Sequence, residues 1–232
     1  MHIHLPKPLH GWREFAGEVG IIVFGVLIAL AFGQLAQSVD NRVAAAQARD
    51  AIRAEVRENL WWLELRAKYE PCIGRMAADL RVVLDRARDG QATPMITNVD
   101  FPIHSKITSL RWKANAQAGR ASLFSEEELR VLGNMYFTTD EFRDSQEQEA
   151  TVWSKIAFVE GLKHFSPMDV HDLGVLLAEA RYRDFRAKLD IERGRQWAAR
   201  LHLTAVNPNS VEQMALSEQP ECPSLTGPPS AE

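Results

Sequence analysis

Residues 15–36 read Phe-Ala-Gly-Glu-Val-Gly-Ile-Ile-Val-Phe-Gly-Val-Leu-Ile-Ala-Leu-Ala-Phe-Gly-Gln-Leu-Ala, and from Val19 to Ser38 no residue is charged. At about 1.5 Å per helical residue, some 20 to 22 residues cover roughly 30 Å, the hydrocarbon thickness of a bilayer. No other stretch comes close. A buried helix of a soluble protein normally keeps a polar stripe, and this one has none. Cleavage as a signal peptide competes, because Ala31-Phe32-Gly33 offers small residues at suitable positions. The apolar run passes beyond that point, however, and Glu14 and Glu18 make a poor basic leader, so the segment reads as a permanent anchor.

Details of the span agree. Trp12 falls where an interfacial aromatic belt would lie. Gly25, Ala29 and Gly33 recur every four residues and line one face with small side chains, the pattern that lets a second helix approach. Orientation is less marked. Arg42, Arg49 and Arg53 outweigh Lys7 and Arg13, which favours a cytoplasmic domain, whereas a short tail before an apolar segment commonly exports the domain after it. The balance is taken for export.

Beyond the span, the helix meets no Pro or Gly from Gln37 to Glu70, and Val39, Val43, Ala46, Ile52, Val56, Leu60 and Leu63 keep helical spacing. Pro71 predicts a stop or kink, with a second helix from Cys72 to Arg88 ended by Asp89-Gly90. Residues 90–105 read as an irregular crossover. A short helix is expected over about 106–118, closed by Gly119. Ser125-Glu126-Glu127-Glu128 is a capping box, and Ser166-Pro167-Met168-Asp169 marks another start. These bound two long helices, 126–162 and 167–202, which a short turn should pack antiparallel, with Trp153 at the Leu177–Ala180 level. The stretch 204–232, rich in proline and poor in large apolar residues, reads as a disordered tail.

The expected fold is therefore all-α: a flank over 1–14, a transmembrane helix over 15–37 continuing into an antiparallel bundle over 38–203, and the tail. A net charge of −4 argues against a nucleic-acid surface. Cys72 and Cys222 exclude a disulfide framework; a single bridge can form outside the cytoplasm, but with Cys222 in the tail both are expected free or variably paired.

Candidate sites follow from the seams. Leu129, Leu132 and Tyr136 lead the apolar face of the helix expected over 126–162 and Trp153, Ile156 and Val159 end it, but Thr139, Gln146 and Glu149 interrupt it. Asp184 interrupts the facing seam of Leu173, Leu177, Ala180, Ala187 and Ile191. Antiparallel pairing brings the breaks to similar heights. They form either a ligand-binding polar pocket or a register-fixing layer, with Glu149 and Asp184 facing arginines such as Arg111 or Arg181; the layer is the favoured reading. Trp61 and Trp62 point about 100° apart on a helix. Either one packs inside while the other marks a partner surface, or a helix with two neighbours buries both. No metal-ligand spacing, phosphate loop, nucleophile elbow or catalytic triad spacing is present, and no cofactor is expected. His2, His4 and His10 read as solvated near the headgroups.

The opening Trp12-Arg-Glu-Phe15-Ala-Gly-Glu18, the Gly25-Val-Leu-Ile-Ala-Leu core, the Trp112…Gly119-Arg120 segment and the Tyr136…Glu149 helix resemble a group of uncharacterised bacterial single-pass inner-membrane proteins. The resemblance covers most of residues 8–203. It implies a bacterial inner-membrane protein with a helical extramembrane domain and transfers no catalytic residue. The expected role is a non-enzymatic, membrane-anchored interaction or scaffold protein, with the bilayer and a second copy or another membrane protein as partners. A sensory or small-ligand-binding helical domain is the alternative.

Overall fold

The computed structural model describes residues 11–208, 222, 224 and 225, and is helical apart from irregular connections and an isolated bridge at Ile96. Among the described residues four α-helices succeed one another: α1 (Trp12–Arg88), α2 (Leu110–Gln117), α3 (Glu126–Ile156) and α4 (Pro167–Arg200). The chain divides into two compact units, Met1–Arg49 and Asp50–Glu232.

In the first unit, the opening of α1 leaves Ile21, Ile22, Phe24, Leu27, Leu30, Phe32 and Leu35 exposed. Among the described residues, α1 is the one helix long and apolar enough to cross a membrane, and none of its apolar window is buried. Ala29 is exposed, and a Cβ added at Gly25 or Gly33 would stand in open space. Among the described residues nothing covers that small-residue face. His2, His4 and His10 lie outside the described residues.

The second unit is a bundle of the later part of α1 with α3 and α4. Its core falls into two apolar clusters. One joins Met76, Leu80 and Leu84 of α1 to Trp153 and Ile156 of α3 and Leu173 and Leu177 of α4. The other joins Trp61, Trp62, Leu63 and Leu65 to Phe142, Ala187 and Ile191. Helix α3 starts at the expected capping box, with the Ser125 hydroxyl accepting from the Glu128 N–H and the Glu128 carboxylate accepting from the Ser125 N–H. Ser166 and Asp169 repeat the device ahead of α4, with Pro167 at its first position. The two helices form an antiparallel hairpin, as their boundaries predict.

Three expectations are corrected. Pro71 neither ends α1 nor separates a second helix, since α1 runs through it to Arg88. Proline deprives the Ala67 carbonyl of its helical partner, but Leu63 and Leu65 before it and Ile73 and Met76 after it are buried on one rod, and that burial holds the helix through the defect. Helix α3 stops at Ile156 rather than 162 and continues as a 3-10 turn over Ala157–Val159. The crossover captures the residues just past that turn: the Val99 N–H donates to the Glu160 carboxylate at 2.7 Å, and the Gly161 N–H donates to the Ile96 carbonyl at 2.9 Å. Finally, Cys72 and Cys222 form a disulfide. Of the segment read as a disordered tail, residues 209–221, 223 and 226–232 lie outside the described residues. Those described near the bridge are docked: Leu225 is buried in the first cluster, and its carbonyl accepts from the Thr97 N–H at 2.9 Å.

Helices α1 and α4 approach closely at Gly194. A Cβ there would lie 2.5 Å from Leu63 Cδ1, so the buried leucine side chain would have to shift to admit it. Trp153 is fully buried and shares its cluster with Leu177 and Ala180, the level expected of it. In a chain beginning at Ser38, Trp153→Ala should lower unfolding stability by about 3–5 kcal/mol, measured in urea, because removal of the indole leaves a void the bundle cannot close.

Candidate functional site

Between the two apolar clusters lies a layer of charge. Arg66 sits on α1 in the seven-residue series Ile52, Asn59, Arg66, Ile73, Leu80, which faces the bundle interior along its length. Its guanidinium is wholly buried. Nη2 donates to Glu149 Oε1 of α3 at 2.8 Å and lies 3.6 Å from Asp184 Oδ1 of α4, while Nη1 donates to Glu70 Oε2 at 3.0 Å. Lys188 closes the group from the solvent side, 2.6 Å from Glu70 and 2.8 Å from Asp184. One guanidinium thus joins three helices.

Glu149 and Asp184 stand at one height, as antiparallel pairing of α3 and α4 predicts. The arginine they face is neither of the two expected ones. Arg111 lies at the start of α2 and pairs with Glu58 at 3.3 Å, and Arg181 has no ion-pair partner among the described residues. The signal for Arg66 is present in the seven-residue series but is masked by the other arginines of α1.

Burial of the layer shifts its protonation. Burial pushes the Glu149 carboxyl up, and the opposing pull of Arg66 does not cancel it. Burial likewise raises Glu70, helped by neighbouring Asp184, against the Lys188 hydrogen bond. Arg66 loses by burial but gains more from Glu149 and Glu70, so its pKa rises. Burial is the main cause for the two glutamates, and the crowding of three carboxylates around two cations adds to it.

The other candidates are internal ties. Thr139 Oγ1 donates to the Met135 carbonyl at 2.9 Å. Gln146 binds the crossover twice, its Nε2 donating to the Ser105 carbonyl at 3.0 Å and its Oε1 accepting from the Ser105 N–H at 2.7 Å. Thr139, Gln146 and Glu149 are therefore each engaged by a partner within the fold. Asp184 borders a cavity. Trp61 and Trp62 are both buried, with ring centroids 4.9 Å apart and planes at 84°, an edge-to-face pair. Neither is available to a partner, because α1 touches the crossover on one side and the hairpin on the other and so buries two adjacent directions.

A second buried carboxylate organises the far end of the bundle. Glu55 accepts from the N–H groups of Arg111 and Trp112, the first turn of α2, at 2.7 and 3.2 Å, and from the Tyr136 hydroxyl at 2.7 Å. An anion at the start of a helix answers its orphan donors. Burial, with Glu55 alongside, raises the Tyr136 pKa and keeps the phenol protonated. Trp112 stacks on this ring at 5.3 Å.

Among the described residues no group of three or more His, Cys, Asp or Glu could hold a metal ion. No family model, curated protein or solved structure matches the chain.

Arg66→Met should cost about 3–5 kcal/mol in urea unfolding at neutral pH, since it strands buried Glu149; adding Glu149→Met should restore much of the loss. The layer also fixes a pH dependence. An unfolded glutamate titrates near 4.5, and folded Glu149 titrates above it. Its contribution to stability is full below 4.5 and is lost as pH rises through the folded value. Glu149→Gln should therefore flatten the decline in urea midpoint as pH rises above 4.5; an unchanged slope would place the proton elsewhere.

Proposed function

We propose that this chain is a membrane-anchored helical interaction protein of the bacterial envelope, held by residues 15–37, with its bundle outside the cytoplasm. The observation that carries the reading is the contrast along α1. The same helix that buries its apolar residues within the bundle leaves a continuous apolar stretch exposed near its start. Exposed apolar surface on that scale is stable only in contact with lipid or another chain.

The Cys72–Cys222 bridge supports an exported bundle, because such bonds persist in oxidising compartments and are reduced in the cytosol. The inner membrane is what the sequence resemblance implies. No catalytic role is proposed, since the buried carboxylates and amides are spent on holding helices together. The uncovered face at Gly25, Ala29 and Gly33 supports self-association within the bilayer, where small residues let helices pack closely.

Expressed in bacteria, the chain should stay with carbonate-washed membranes, and deletion of residues 15–37 should release it. In unreduced spheroplasts its two cysteines should resist maleimide, and external protease should degrade the bundle. Free cysteines in a protease-protected bundle would reverse the orientation. Gly25→Ile with Gly33→Ile should convert a dimer to a monomer in mild detergent; an unchanged mass would remove the small-residue face from the interface.

A further inference from the structure

Beside the first apolar cluster the bundle leaves a cavity of about 320 Å³, open on one side, between α1 and α4. It arises because small residues meet there: Gly74, Ala77 and Ala78 on α1, Gly174 and Ala178 on α4. A Cβ at Gly74 would touch nothing within 4 Å. The size falls at the lower end of the range for small-molecule sites. Its walls are mostly apolar and include the indole of Trp153.

One further observation gives the cavity a chemical character. At the margin stand Arg81 and Arg181. Arg81 is shared with Asp85 at 3.1 Å, but Arg181, exposed, pairs with no carboxylate among the described residues. The acidic group at the edge, Asp184, is already answered by Lys188 and Arg66. The margin therefore favours an anion while the walls favour hydrocarbon.

We infer that this cavity binds a small amphiphilic anion of the fatty-carboxylate type, its chain against Gly74, Ala78 and Ala178 and its carboxylate on Arg181. Aliphatic burial supplies the driving force, and the guanidinium supplies a charge-assisted hydrogen bond that selects the head group. The cavity lies wholly within the second unit, so neither the anchor nor the orientation of the bundle enters.

The test uses the full chain in a neutral detergent, with sodium decanoate as probe and decanol and decylammonium as controls, followed by equilibrium dialysis. Decanoate should bind saturably, one per chain, and more tightly than either control. Arg181→Gln should weaken decanoate about tenfold, the worth of one charge-assisted contact, and leave decanol unchanged. Gly74→Leu should abolish binding by filling the space, without lowering the melting temperature, because leucine suits a helix better than glycine. Ala78→Met, on the same wall, gives a second filling variant should Gly74→Leu misfold. Equal binding of decanoate and decanol, or undiminished binding by the filled variants, would overturn the inference and assign uptake to the detergent or the exposed span.

Discussion

The bundle depends on one guanidinium. Arg66 stands where an aliphatic residue would complete the series from Ile52 to Leu80, and its burial demands partners from every helix within reach. Glu149 and Asp184 supply them from α3 and α4. An apolar interface tolerates small slips of one helix along another, whereas this layer does not, since a shift of one turn would strand a charge in the core. The layer therefore fixes the register of three helices at once, and the apolar clusters on either side supply most of the stabilisation.

Around this frame the irregular segments are held by polar side chains reaching out of helices. Gln146 holds Ser105, Glu160 holds Val99, Asn59 binds both backbone groups of Thr108, and Glu55 caps α2. The long connection between α1 and α3 is ordered by these ties and by Ile96, Val99 and Ile107 entering the core. Of the buried polar residues that look like a ligand pocket in sequence, Gln146 is consumed by the backbone that covers it, Thr139 by its own helix and Glu149 by Arg66.

What could be read from the sequence was what local chemistry encodes. The apolar span, the Ser125 and Ser166 caps and the matching polar breaks at Glu149 and Asp184 all rest on spacing within one helix. What could not be read involved distant partners. Pro71 looked like a terminator because the burial on both sides of it depends on contacts with α3 and α4. Trp61 and Trp62 looked like a surface feature because the crossover that covers one flank of α1 has no periodic pattern. The Cys72–Cys222 bond was left open and the docking of Leu225 was invisible, since the composition around them resembles a tail. The cavity could not be foreseen either, being a space between helices rather than a motif.

The bridge and Leu225 also impose an order on biosynthesis. Cys222 is translated 150 residues after Cys72, and Leu225 three residues later still. The α3–α4 hairpin, with caps at both starts and local contacts, can form while the chain is being made. Helix α1 cannot finish packing then, because its partners Glu149, Asp184 and Leu225 all emerge after it. Completion of the core is thus tied to residues 222–225, and a translation product interrupted before them leaves part of the inner face of α1 uncovered, a ready substrate for proteolytic removal.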